Sequence, residues 1–294
     1  MFRNIFLILL LSVSLNAEIF EIDNIDEIRP YATDPSGIVL LDIDDTLIAP
    51  PFMLGRSGWR GWAKDTLTDI EAPFNVYESL ALYIAVRAPY IPVEDSAVKL
   101  VSDLQARNVP TFAFTARGRT FWYNINLMGM DRFSEQQLHQ AGYDFSQSFI
   151  PKGMAIPHEF FYNGIIFTEY KVKKGDFLVK IFKNLPYRPT HIVFVDDKLD
   201  QVKSVEKAAK ELNIPFYGFW YKASDNEAKR LNPMIANIEL EELLFYKNLI
   251  TDENAREKLL ELDDCEPVEY LETIMDNFDL KYFTPEIPYQ HDRP

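Results

Sequence analysis

Ile38-Val39-Leu40-Leu41 is an unbroken apolar run closed by Asp42-Ile43-Asp44-Asp45-Thr46, with a turn signal, Asp34-Pro35-Ser36-Gly37, ahead of it. A strand without polar alternation is covered on both faces, the habit of a parallel sheet sandwiched between helices. The pattern recurs: Val109 to Phe114 is a second such run, His191 to Val195 a third and Ile214 to Trp220 a fourth. Between them, Val98 to Arg107, a segment starting near Lys174-Gly175, and Leu199 to Leu212 carry apolar residues at helical spacing. Strand and helix alternate, so the expected fold is α/β, a Rossmann-like doubly wound parallel sheet.

Two long connections interrupt this alternation. Residues 50–97 are rich in aromatics and prolines and read as a small helical cap insertion. Residues 118–173 contain Asn163-Gly164, a hairpin signal, so a short β excursion is expected there. From about 236 to 294 the chain reads as a helical extension, with starts at Thr251-Asp252-Glu253 and Glu266-Pro267.

The chain opens with Arg3, an apolar run from Ile5 to Leu15 that is too short to span a bilayer, and then Asn16-Ala17 before Glu18. This is the pattern of a cleavable signal peptide over residues 1–17, and it predicts a periplasmic or secreted protein of residues 18–294 with no stable membrane association. A buried first helix or an uncleaved anchor is the alternative. Cys265 is the single cysteine, which excludes an internal disulfide and a cysteine-based zinc site. Acids outnumber bases, 45 to 30, and the net charge of −15 argues against nucleic acid or an anionic membrane as the main partner. A phosphate would need a locally positive pocket.

Candidate chemistry gathers at strand ends, where open parallel sheets bind ligands. Asp42 and Asp44 leave the first strand two residues apart, and with Asp45 they make a repelling cluster that a cation would relieve. An EF-hand calcium loop is excluded, because its sixth and twelfth positions would be Leu47 and Met53 rather than Gly and Glu. Helix-capping acids in a solvated turn are the other reading. Thr115 ends the second strand, ahead of Ala116-Arg117. Lys174 stands at a helix start, where a point charge suits a phosphate. Asp196-Asp197 closes the third strand, with Asp200 one turn on; acids there are costly unless they bind something or cap the next helix. Arg56, Trp59, Arg60 and Trp62 alternate base and aromatic, and either gate a pocket or pack the cap. Arg117 either faces a ligand or makes a surface ion pair. His139, His158, His191 and His291 show no metal spacing, and His191 reads as structural.

Taken in order, these four signals resemble the haloacid dehalogenase-like superfamily, whose pattern is DxDx[TV] after one strand, Ser or Thr after the next, Lys before a later helix and an acidic pair after another strand. The match covers roughly Gly37 to Trp220. FVDDKLDQV, NGIIFT and YGFWY carry a narrower likeness to an exported bacterial family of unknown function on that fold, and Trp59 and Trp62 a looser one to class C acid phosphatases. The superfamily resemblance implies that Asp42 is a nucleophile forming an aspartyl-phosphate, that Asp44 is the acid and then the base, and that Thr115, Ala116 and Lys174 hold the phosphoryl group. It implies Mg2+ on Asp42, Asp196 and the main-chain carbonyl of Asp44, and a small phosphorylated substrate. Asp197 and Asp200 stay open between orienting Lys174 or a metal-bound water and capping. The expected activity is exported phosphomonoester hydrolysis. The alternatives are a phosphotransferase of the same mechanism and a non-catalytic exported binding or host-interaction protein on the same scaffold.

Overall fold

The computed structural model describes residues 17–278 apart from 71, 73–75, 120–128, 169–171, 224–225, 227–228 and 263–264. Residues 1–16 of the expected signal segment 1–17, and the tail beyond 278, lie outside the described residues. The strands are β1 Ala17–Ile22, β2 Ile38–Leu41, β3 Ile48–Ala49, β4 Ile91–Pro92, β5 Thr111–Thr115, β6 Phe161–Tyr162, β7 Ile165–Phe167, β8 Ile192–Asp196 and β9 Phe216–Tyr221. The helices are α1 Ser57–Asp69, α2 Val76–Arg87, α3 Asp95–Ala106, α4 Met130–Gln140, α5 Lys174–Phe182, α6 Leu199–Leu212, α7 Pro233–Glu241, α8 Asp252–Leu259 and α9 Pro267–Asn277.

Seven strands make one sheet in the order β1-β9-β8-β2-β5-β7-β6. Every neighbouring pair is parallel except the β6–β7 hairpin. The chain is α/β, with a topology compatible with a Rossmann-like fold. The apolar runs behave as a two-faced sheet requires. Ile38 and Leu40 of β2 point into a core filled by α5 and α6, while Val39 and Leu41 point into a second core with α1, α2, α3, α7 and α9. From β2 the chain moves outward through β5 to β7. It then returns to β8 on the other flank of β2 and moves outward again through β9. The β2–β8 boundary is therefore the switch point where such sheets form a crevice.

The sheet is wider than the four expected strands. Asn163 (φ 43°) and Gly164 (φ 78°) do turn a hairpin, but β7 is no isolated excursion: it pairs in parallel with β5. A Cβ on Gly164 would run into the Phe145 carbonyl, so the tight turn against that loop needs glycine. β1 was not anticipated, because Glu18 and Glu21 break its apolar pattern; it is an edge strand, parallel to β9.

Residues 50–97 contain α1 and α2, and the β3–β4 ladder closes the neck of this excursion. α3 begins at Asp95 and packs on the sheet core. The expected C-terminal extension is structural: α7 starts at Pro233, with Asn232 accepting from the amides of Met234 and Ile235. Ala236, Leu240, Leu271 and Ile274 share the core of α1 and α2. No helix among the described residues is long and apolar enough to cross a membrane.

Candidate active site

The β2–β8 switch point brings together residues that are far apart in sequence. Asp42 follows β2 and its amide donates to the Val195 carbonyl at 3.0 Å, which ties the two strand ends to one level. Asp196 ends β8. Lys174, the first residue of α5, bridges them: its Nζ donates to Asp42 Oδ1 and, at 2.6 Å, to Asp196 Oδ2. All three side chains are buried. Lys174 is held from behind by α6, since its amide donates to Gln201 Oε1 at 3.2 Å and the Gly175 amide to Ser204 Oγ at 3.0 Å.

Asp197 joins this cluster. One carboxylate oxygen from each of Asp42, Asp196 and Asp197 lies within 4.8 Å of the others. Thr46 links the loops: its Oγ1 receives the Asp197 amide at 3.1 Å and donates to Asp42 Oδ2 at 3.4 Å. The Trp220 indole donates to the Asp197 carbonyl at 3.0 Å. Of the two open acids, then, Asp197 belongs to the carboxylate cluster, whereas Asp200 is exposed in the first turn of α6 and lies outside it.

Asp44 faces the other way. Arg117 grips it at two points, Nη2 to Oδ1 at 2.7 Å and Nε to Oδ2 at 2.9 Å. Ser134 Oγ and Gln137 Oε1 of α4 fix the same guanidinium through its Nη1, at 2.9 and 2.7 Å. Asp45 takes a left-handed φ of 60° and is ion-paired with Arg60 of α1, which joins the strand-end loop to the cap. Thr115 is buried at the end of β5, its Oγ1 accepting from the Arg117 amide at 3.1 Å. Ala116 is exposed beside it.

The charges are unbalanced. Burial pushes the Asp42 carboxyl up to about 7; Lys174 opposes this, and Asp196 and Asp44 add to it. Burial raises Asp197 to about 8, against the pull of Lys198. Burial disfavours the charged form of Lys174, but Asp196 and Asp42 outweigh it and hold the ammonium well above its ordinary value. Burial likewise works against ionised Asp44, but the charge and hydrogen bonds of Arg117 prevail, so Asp44 lies well below the usual carboxylate range.

These residues fit a hard divalent cation. Three buried carboxylates cluster, Lys174 bonds only two of them, Asp42 and Asp196, and Asp197 Oδ1 is buried without a hydrogen-bond partner. An all-oxygen donor set with few protein ligands suits magnesium, which keeps several waters. The strand-end reading thus brings Asp42, Lys174 and Asp196 together, with Thr115 ending the next strand; the side chain of Asp44 turns to Arg117. Thr46 was legible as the fifth position of the first motif. The α6 supports Gln201 and Ser204 carried no sequence signal.

Trp59 is fully buried in the cap and Trp62 packs partly buried beside it, so both serve packing, and Trp59 also backs a pocket. His191 is structural: its ring hydrogen-bonds the Tyr31 carbonyl at 3.1 Å, and His139 and His158 are exposed away from the cluster.

Fold and site together define an α/β protein with a buried carboxylate–lysine centre at a sheet switch point. The chain belongs to the family described as "Protein of unknown function (DUF2608)", whose model matches residues 21–256 and so spans every residue of this centre. It is 24% identical over 222 residues to a "Putative outer membrane protein" of Chlamydia trachomatis serovar D, covering 74% of this chain and 80% of that protein. A protein of Chlamydia pneumoniae with the same description is 24% identical over 226 residues, covering 74% and 80%. An uncharacterised protein of Rickettsia bellii is 25% identical over 256 residues, covering 78% and 86%. No solved structure matches the chain.

Proposed function

We propose that this protein is an exported, magnesium-dependent phosphomonoester hydrolase of the haloacid dehalogenase-like type, with Asp42 as its nucleophile. The observation that carries the reading is the meeting of Asp42 and Asp196 on Lys174 at the switch point, with Asp197 completing an all-oxygen cation site. A buried carboxylate beside a lysine and a cation site is what attack on a phosphate ester needs.

Asp42 Oδ attacks phosphorus and the bond to the leaving oxygen breaks. Lys174, released from the carboxylates, and Thr115 hold the phosphoryl oxygens, with Ala116 beside them. Asp44 gives the leaving oxygen a proton, then takes one from the water that attacks phosphorus as the Asp42–phosphorus bond breaks. An incoming phosphoryl oxygen competes for Arg117, which loosens its grip on Asp44 so that this carboxyl can carry a proton. Asp42, Asp196, Asp197 and the Asp44 carbonyl are the groups that would hold magnesium. When bound, the ion offsets the repulsion between carboxylates and ester and stabilises the transferring group.

Export rests on the apolar run with Asn16-Ala17 before Glu18, and on the outer-membrane descriptions of the chlamydial relatives. N-terminal sequencing should find the native protein starting near Glu18; an intact Met1 on a cytoplasmic species rules export out.

The decisive test is turnover of 4-nitrophenyl phosphate with Mg2+. Wild type should hydrolyse it and Asp42→Asn should not. Asp44→Asn should trap phosphoenzyme, seen by intact mass, and the double variant should not. Hydrolysis by Asp42→Asn at the wild-type rate overturns the assignment and favours a binding protein with contaminating activity.

A further inference from the structure

Beside Asp44 opens a pocket of ≈ 450 Å³, walled by α1 and α2 of the cap, the first turn of α4 and the loop after β8. Its place fixes its role under the phosphatase reading. Asp44 serves the leaving oxygen, so whatever fills this space is the alcohol part of the ester.

Two properties of the wall describe that alcohol. The first is apolar surface: Leu82, Ile84, Met130 and Phe133 line the pocket with Tyr77 and Tyr90. A small polyol would leave this surface wet, whereas a ring or other apolar body would cover it. The second is charge. Arg60, Lys64, Arg117 and Lys198 line the pocket against two acids, Asp44 and Glu78, in a chain whose net charge is −15. A local cationic excess in a strongly acidic protein draws an anion to one place and repels it elsewhere.

The cations are not equivalent. Arg117 is engaged by Asp44 and Arg60 by Asp45. Lys64 and Lys198 are exposed and make no ion pair among the described residues. Lys198 stands at the start of α6, its amide on Asp196 Oδ1 at 2.9 Å, close to the phosphoryl end. Lys64 lies one helical turn after Arg60 on the same face of α1, at the cap end. The phosphoryl group already has Lys174, Thr115 and the cation site. A lysine that lines the leaving-group pocket one helical turn beyond Arg60 therefore serves a different anion.

We propose, resting on the phosphatase reading, that the substrate is a phosphomonoester whose leaving group joins a ring or other apolar body to a second anionic group, a carboxylate or a further phosphate, and that Lys64 receives this second anion.

The test compares phenyl phosphate with 4-carboxyphenyl phosphate, two esters of one body that differ in the second charge, on the mature protein with Mg2+. The ratio of kcat/KM should favour the carboxylated ester about tenfold at low salt and shrink at high salt, as a charge interaction of about 1.4 kcal/mol does. Lys64→Glu should bring the ratio to about one or below. Lys207→Glu, an equal change of charge on exposed α6, should keep it. Turnover of both esters with no preference, or a preference that survives Lys64→Glu, overturns this inference and leaves the phosphatase reading standing. Turnover of neither ester overturns both.

Discussion

Asp44 and Arg117 meet in a two-point ion pair across 73 residues of chain, with both contacts within 2.9 Å. The guanidinium is itself anchored by Ser134 and Gln137, so α4 indirectly sets the protonation of a strand-end carboxyl. Arg117→Lys keeps the charge but loses the fork geometry. Asp44 would protonate more readily but would no longer be held in place for the leaving oxygen, so turnover of alkyl phosphates, which need a proton there, should fall by roughly 10²-fold. The loss should be smaller for 4-nitrophenyl phosphate, whose leaving group needs none. Equal losses on both would mean that Arg117 acts only on the phosphoryl group.

A cation bound to the Asp42–Asp196–Asp197 cluster should stabilise the fold by mass action. At a hundredfold excess over its dissociation constant this amounts to about 2.7 kcal/mol. Thermal melts with and without Mg2+ should show an upward shift in wild type and a much smaller one in Asp197→Asn and Asp196→Asn. Calcium should fail to support turnover, because it takes more ligands in looser geometry. An undiminished magnesium shift in both variants would remove the cluster as the metal site.

Gly175 and Gly61 make a matched pair. A Cβ on Gly175 would collide with the Ser204 carbonyl where α5 crosses α6, whereas one on Gly61 meets nothing within 4 Å. Gly175→Ala should destabilise by about 1–3 kcal/mol and lower turnover by displacing Lys174 next to it. Gly61→Ala, in the interior of α1, should raise stability by up to about 1 kcal/mol. Denaturant melts of the two variants check both signs.

Glu239 gives the pH dependence. It is buried; burial first, and the neighbouring Asp252 carboxyl second, raise it from 4.5 to about 9. The folded state therefore keeps a proton that the unfolded chain releases. Stability falls as pH rises from about 4.5 to about 9 and levels off above that. Glu239→Gln cannot ionise yet can still accept from the Leu54 amide, which Glu239 Oε2 does at 2.8 Å. Its melting temperature should gain on wild type between pH 6 and pH 9, and parallel curves would contradict the assignment.

The central sheet was readable where burial on both faces left no choice of residue. Ile192-Val193-Phe194-Val195 admits one reading, and α6 runs from Leu199 to Leu212 as its spacing predicts, ended by Asn213 in a left-handed conformation. The edges were not readable. β1 is an edge strand with one exposed glutamate on each face, so neither face shows an unbroken apolar pattern, and β7 is three residues long, too short for a periodicity to declare itself. The site divides in the same way. Asp42, Lys174 and Asp196 stand out because a charge at the end of an apolar strand or at a helix start needs a reason. Arg117 could equally have been a surface ion pair, and only the placement of α4 shows why it is not. Asp197 was ambiguous because capping and metal binding use the same residue type at the same position.

The pairing of β1 with β9 bears on the order of assembly. Residues 17–22 wait for residues 216–221, so the first strand made is joined to the sheet only after some two hundred further residues exist. A contact of such long range forms late and slowly. The edge of the sheet that β1 covers therefore stays unsealed until β9 has been made. Under the export proposed above, this delay would be an advantage for a chain that crosses a membrane before it folds. The segment that follows the expected leader would then be the last to be locked in place.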